Sequence, residues 1–113
     1  MNQRTTAPDT TGSVTTWRDP QPDVPSWTFL TNHAHVLIAI SRDGELRQRD
    51  IAHVVGITTG AVQRIIDDLE DAGYVRRERV GRRNRYVVTA DLPLRHPLER
   101  PHRVQELLDA LDA

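Results

Sequence analysis

Gly56 stands between two short sets of apolar residues, and its position limits the possible folds of this chain more than any other feature. Ile51, Ala52 and Val55 precede it, and Val62, Ile65, Ile66 and Leu69 follow. Each set has the three-and-four spacing of a helix with one buried face. Gly56 lies one position past the first set, where a helix commonly ends in a left-handed residue that suits glycine. Thr58, two positions on, has a hydroxyl suited to capping the amides that open a second helix. Helices separated by so few residues cross at a steep angle, and Ala52 is small enough to let them approach. The first helix of the pair is expected to begin at Arg47 without a capping hydroxyl, with Asp50 placing a carboxylate in the first turn, where the helix dipole favours it.

A basic hairpin is predicted to follow. Gly73 is placed to end the second helix, and Tyr74 to Val80 and Arg85 to Thr89 are rich in β-branched and aromatic residues. Between these strands Gly81-Arg82-Arg83-Asn84 supplies turn chemistry. From Arg76 to Arg85 there are six arginines and one acid, Glu78, a local charge of +5 in a chain whose net charge is −1. The fold class predicted is α+β: mainly α with a small β-hairpin wing, a winged helix-turn-helix.

Gly44 to Thr89 resembles the DNA-binding core of the MarR-type winged-helix regulators and related small bacterial regulators. The resemblance implies that the second helix of the pair lies in the major groove of double-stranded DNA, with the wing along the backbone or in the adjacent minor groove. It also implies that Glu45-Leu46 forms a short strand pairing with the wing. MarR-type proteins carry longer flanking helices that build a dimer and shelter an effector pocket. The flanks here are short, so a small-molecule effector is allowed but not indicated.

The rest of the chain divides simply. Residues 1–25 contain Pro8, Pro20, Pro22 and Pro25 and read as a flexible arm, in which Trp17 and Arg18 either dock on the body, reach into a groove or move with the tail. Residues 26–90 form the winged helix-turn-helix domain, in which Ser26 or Thr31 opens a first helix ending near Arg42. Leu30, Ala34, Leu37, Ile38 and Ile40 are expected to wall the core from that helix, and Asp43-Gly44 turns the chain. Residues 91–113 form a connector punctuated by Pro93, Pro97 and Pro101, then an amphipathic helix striped by Val104, Leu107, Leu108 and Leu111. That stripe is assigned to homodimerisation, since regulators of this kind bind paired half-sites; folding back onto its own chain is the alternative.

The DNA-binding candidates follow from helical geometry. Opposite Val62, Ile65, Ile66 and Leu69 the second helix presents Thr59, Gly60, Gln63, Arg64 and Asp67. Gln63 can pair bidentately with adenine and Arg64 with guanine. Gln48, Thr58 and Thr59 suit phosphates. Gly60 serves either close approach to the groove or close packing on the preceding helix. Asp67 either accepts from cytosine or holds Arg64, and Asp68, Glu70 and Asp71 read as a solvated face. Arg82, Arg83 and Asn84 are expected at the wing tip, with Arg79 and Arg85 beside it, where an arginine fits a narrow minor groove.

Composition narrows the classes further. All fifteen basic residues are arginine, which a GC-rich genome explains as well as phosphate binding does. Cysteine is absent, excluding disulfides and thiolate metal sites. His33 and His35 lie on different helix faces, and His53, His96 and His102 lack ligand spacing, so no metal or other cofactor is expected. No phosphate loop or nucleophile elbow is present, so an enzyme is not expected. The longest apolar run, Val36 to Ile40, is too short to span a bilayer, and a cytoplasmic location with no membrane contact is expected. The leading expectation is a sequence-specific regulator, with repression the expected mode. The alternative is a winged-helix module for protein interaction or RNA binding.

Overall fold

The computed structural model describes residues 17–19 and 23–112. Expectations for the arm at 1–16 and 20–22, including Pro8, Pro20 and Pro22, fall outside the described residues. The elements in order are α1 (Asn32–Arg42), α2 (Gln48–Val55), α3 (Thr59–Asp71), β1 (Val75–Val80), β2 (Arg83–Val88) and α4 (Val104–Leu111).

Local chemistry sets each boundary. Thr31 rather than Ser26 opens α1, its Oγ1 accepting from the Ala34 amide at 3.3 Å. Arg47 precedes α2 and supplies no acceptor; Asp50 reaches back instead, its carboxylate accepting from the Arg47 amide at 3.2 Å. Gly56 closes α2 with φ 86°, donating its amide to the Ala52 carbonyl at 2.8 Å. Thr58 opens α3, accepting from the Ala61 amide at 3.1 Å. The tight turn therefore leaves little freedom in how α2 and α3 cross.

One buried cluster joins all of these elements. Ile51, Ala52 and Val55 of α2 and Val62, Ile65, Ile66 and Leu69 of α3 are all buried, as their spacing predicts. On α1 the phase differs from expectation: Val36, Leu37, Ala39 and Ile40 are buried, whereas Ile38 is half-buried beside Trp17. Trp17 packs against the cluster, and the guanidinium groups of Arg18 and Arg42 lie over its ring, 4.9 and 5.6 Å from the centroid. That part of the expected flexible arm is docked on the body. No helix among the described residues is long and apolar enough to cross a membrane.

Two expectations for the sheet are corrected. β1 and β2 pair antiparallel with Val80 opposite Arg83, so the turn has two residues, Gly81 and Arg82, with Gly81 at φ 63°. Arg83 and Asn84 are therefore strand residues and not the tip. Glu45-Leu46 forms no strand. A single backbone bond, Tyr86 N–H to the Gly44 carbonyl at 2.8 Å, holds that segment to the wing, and Arg83 adds a guanidinium bond to the Glu45 carbonyl at 2.7 Å.

The assignment of Val104 to a dimer surface is also corrected. Val104 is 1% exposed and belongs to the same core as α1 to α3. The connector folds to deliver it there: Leu94 N–H donates to the His102 carbonyl, Val104 N–H to Leu92 and Gln105 N–H to Ala90, at 3.0, 3.0 and 2.9 Å. Leu107 and Leu108 are half-buried and Leu111 is exposed. Val104→Ala is expected to lower stability by about 2 kcal/mol through lost burial and the cavity left behind. The loss should be the same across a wide range of protein concentration in urea denaturation; a loss that grew on dilution would return Val104 to an interface between chains.

Candidate nucleic-acid interface

The exposed side of α3 carries Thr59, Gly60, Arg64 and Asp67. Arg64 makes no hydrogen bond or ion pair among the described residues, so its five donors are open to solvent. Gly60 faces open space: a Cβ built there would find its nearest atom, Thr58 Oγ1, 4.0 Å away. Packing against α2 therefore does not account for this glycine. Thr58 lies at the same end of the helix, its hydroxyl committed to the cap.

Gln63 and Gln48 are less open than the sequence suggests. Gln48 Nε2 donates to Gln63 Oε1 at 2.6 Å and to Tyr86 Oη at 3.2 Å. Gln63 Nε2 donates to Asp67 Oδ1 at 2.8 Å. Gln48, expected to face a phosphate, thus has both amide hydrogens engaged inside the protein. Asp67 holds Gln63 and not Arg64. The link through the Tyr86 hydroxyl joins the wing to α2 and α3 and leaves no local signal, whereas the Gln63–Asp67 bond is an i, i+4 pair on α3 whose spacing the sequence does carry.

Two of the acids beyond Asp67, Asp68 and Glu70, also have partners, while Asp71 is exposed as expected of a solvated face. Asp68 Oδ2 lies 2.8 Å from His33 Nε2, and Glu70 Oε1 accepts from Arg77 at 2.9 Å. Asp68 therefore ties α3 to α1 and Glu70 ties it to β1; neither belongs to an idle solvated face. Arg77 also lies over the Tyr86 ring, 5.6 Å from its centroid.

Pairing within the hairpin sorts its arginines. Directly opposed residues share a face, so Val75, Arg77 and Arg79 lie with Val88, Tyr86 and Asn84, and Arg76, Glu78 and Val80 lie with Val87, Arg85 and Arg83. On the second face Glu78 accepts from Arg76 at 2.6 Å and from Arg85 at 3.0 Å. The hydrogen bond from Arg76, then that from Arg85, holds the Glu78 carboxyl below its ordinary pKa of 4.5. It stays ionised at neutral pH and keeps both arginines engaged. Arg85, expected beside the tip and open to DNA, is therefore ion-paired.

What remains is charge at the far end of the wing. Arg79 Nε donates to the Gly81 carbonyl at 3.2 Å and Arg83 to the Glu45 carbonyl, neither of which neutralises a guanidinium. Arg82, at the turn, makes no hydrogen bond or ion pair among the described residues. The +5 of the hairpin read from sequence thus becomes a local concentration at Arg79, Arg82 and Arg83, while Arg77 pairs with Glu70 and Arg76 and Arg85 share the single charge of Glu78. Arg79 and Asn84 share the face on which Tyr86 meets Gln48, so the distal wing continues the side of the molecule that bears Gln63. Arg47 lines the cleft between the start of α2 and the wing, together with Arg82, Arg83 and Asn84. No group of metal-ligating side chains occurs among the described residues.

Comparison with known proteins agrees with this geometry. A protein from Methanocaldococcus jannaschii described as uncharacterised is 35% identical over 66 residues, which is 58% of this chain and 14% of that protein. The chain therefore matches only a small part of that relative's length. A family model described as the MarR family matches residues 28–85, from just before α1 into β2, which spans the whole helix-turn-helix and most of the wing. With a match over half its length and the winged helix-turn-helix those residues build, the chain belongs to the MarR family.

Proposed function

We propose that this protein is a sequence-specific double-stranded DNA-binding transcription regulator acting as a repressor. In this reading α3 enters the major groove, and the distal wing lies on the backbone or in the neighbouring minor groove. The observation that carries it is the pairing of one unpartnered arginine on the open face of α3, Arg64, with a concentrated, uncompensated positive wing end at Arg79, Arg82 and Arg83. Arg64 can fork onto guanine N7 and O6, Thr59 and Gly60 lie where the first turn of α3 meets a phosphate or the groove floor, and Asn84 adds a polar contact beside the wing tip. Thr58 and Arg85 contribute less, since the cap and Glu78 occupy them. A docking module would carry apolar anchors on the open face of α3, and polar residues and glycine stand there instead.

The regulator is proposed to act as a homodimer, because two half-sites add affinity and match a twofold protein. Leu107, Leu108 and Leu111 are the part of the α4 stripe still accessible to a second chain.

Single arginine substitutions separate the two proposed roles. Arg64→Ala should remove preference at one base pair per half-site, at a cost of about 1–3 kcal/mol on the preferred sequence and little on others. Arg82→Ala should weaken binding to every sequence and reduce the slope of log affinity against log salt by about one. Fluorescence anisotropy with preferred and scrambled duplexes at several salt concentrations distinguishes these outcomes. Unchanged affinity and slope for Arg82→Ala would remove the wing from the interface.

A further inference from the structure

The Gln63 amide is held at both ends by groups of different chemistry. Its Oε1 accepts from Gln48 Nε2 at 2.6 Å and its Nε2 donates to Asp67 Oδ1 at 2.8 Å. An ionised carboxylate can only accept, so Asp67 dictates which end of the Gln63 amide is the nitrogen. Gln48 must then offer its own nitrogen to the oxygen that remains, and its second hydrogen goes to Tyr86 Oη at 3.2 Å. Donation therefore diverges from Gln48, outward to Tyr86 on the wing and onward through Gln63 to Asp67 on α3. A solvent-exposed glutamine without such partners turns about its broad terminal torsion and offers either end.

Half of the hydrogen-bonding capacity of Gln63 is left over: one N–H and one oxygen lone pair. Adenine offers N7 as acceptor and N6 as donor, which a donor and an acceptor in fixed order can match, whereas guanine offers two acceptors, N7 and O6. We propose that Gln48 and Asp67 are positioning residues that set the sense of the Gln63 amide for adenine over guanine, with Tyr86 tying that setting to the wing. The proposal rests on the DNA-binding reading above. It replaces the phosphate contact expected of Gln48, because a side chain with both amide hydrogens engaged internally has none left for a phosphate.

The test is selection of duplexes from a randomised pool by the full chain, scored base by base for wild type, Gln63→Ala, Gln48→Ala, Asp67→Asn and Asp67→Glu, with salt dependence measured on the selected site. Gln63→Ala identifies the position concerned. Wild type should favour adenine over guanine there by about tenfold, the scale of one bidentate pair. Gln48→Ala, and Asp67→Asn with a partner able to donate as well as accept, should bring that ratio to about twofold or less, while Asp67→Glu, still acceptor-only, should retain it. Loss of a negative charge in Asp67→Asn raises affinity for all DNA alike, so the ratio is the readout. The salt slope of Gln48→Ala should equal that of wild type; a phosphate contact would lower it.

A preference in wild type that persists unchanged in Gln48→Ala and Asp67→Asn would overturn the positioning role and leave DNA recognition intact. A flat wild-type profile would overturn the DNA-binding reading itself, and the positioning role with it. Thermal melting verifies that each variant folds; if Gln48→Ala does not, Asp67→Asn on the exposed surface decides the matter.

Discussion

Ile66→Ala is expected to lower the unfolding free energy by about 2–5 kcal/mol, the largest stability loss of any single substitution considered for this protein. Ile66 is fully buried on α3, in the cluster shared with α1, α2, the hairpin and α4. Removing three carbons there takes away burial worth about 0.8 kcal/mol per methylene. It also leaves a cavity between elements that are individually short: α2 has 8 residues, α3 has 13 and α4 has 8. Isolated helices of this length are marginal in water, so the surrounding elements hold together through the core and cannot close the void independently. Total stabilities of small domains are about 5–15 kcal/mol, and the variant should approach unfolding at physiological temperature. Urea denaturation measures it. A loss below about 1 kcal/mol, the size found at exposed positions, would show that α3 is not anchored as described.

Gly44→Ala should displace the wing. Gly44 is not in the left-handed region, so conformational freedom is not what requires glycine there. The reason is space: a Cβ at this position would run into the backbone carbonyl oxygen of Tyr86. That oxygen belongs to the strand and cannot swing aside like a side chain. Meanwhile the Gly44 carbonyl accepts from Tyr86 N–H at 2.8 Å, so relief of the clash stretches the backbone bond that fastens this segment to the wing. Overpacking of this kind costs about 1–3 kcal/mol. The functional loss should be larger than the stability loss, because Tyr86 carries the hydroxyl that meets Gln48 and its strand carries Arg83 and Asn84. We expect DNA affinity to fall at least about tenfold under conditions where the variant remains folded, on the scale of 1.4 kcal/mol lost from wing contacts. Amide hydrogen exchange should show faster exchange at Tyr86 with α2 and α3 unchanged. Wild-type exchange and affinity would mean that the loop can yield without moving the wing.

The helix-turn-helix was legible because its signals are local. Gly56, Thr58 and the apolar spacing from Ile51 to Leu69 each act within a turn or two of chain, and the structure places all seven apolar residues in the core. The phase of α1 was not legible for the same reason turned around. Val36 to Ile40 is apolar without a break, so periodicity cannot choose its buried face; packing against α2, α3 and Trp17 makes the choice. The wing shows a similar division. Arginine content and turn chemistry identify the hairpin, but its register decides that Arg83 pairs with Val80 and that the turn is only Gly81-Arg82.

The candidate site was legible in outline and misread in its bonding. Arg64 and Arg82 stand open, as helical geometry and turn position imply. Gln48, Gln63 and Arg85 are engaged by partners 15 or 38 residues away, or across the hairpin, where no local pattern reports them. The α4 stripe illustrates the same limit: its spacing announces a buried face, and only the folded connector shows that Val104 buries it against its own chain.

Sequence-specific DNA binding is decided by the affinity of the purified full chain for duplex fragments, including its own upstream region, against random duplex at low and physiological salt. A specific regulator should bind at least one fragment about 10³-fold or more tightly than random DNA at physiological salt, the lower end of the range for such proteins. Equal affinity for every duplex, lost together as salt rises, would contradict specific binding and leave only the electrostatics of the distal wing arginines.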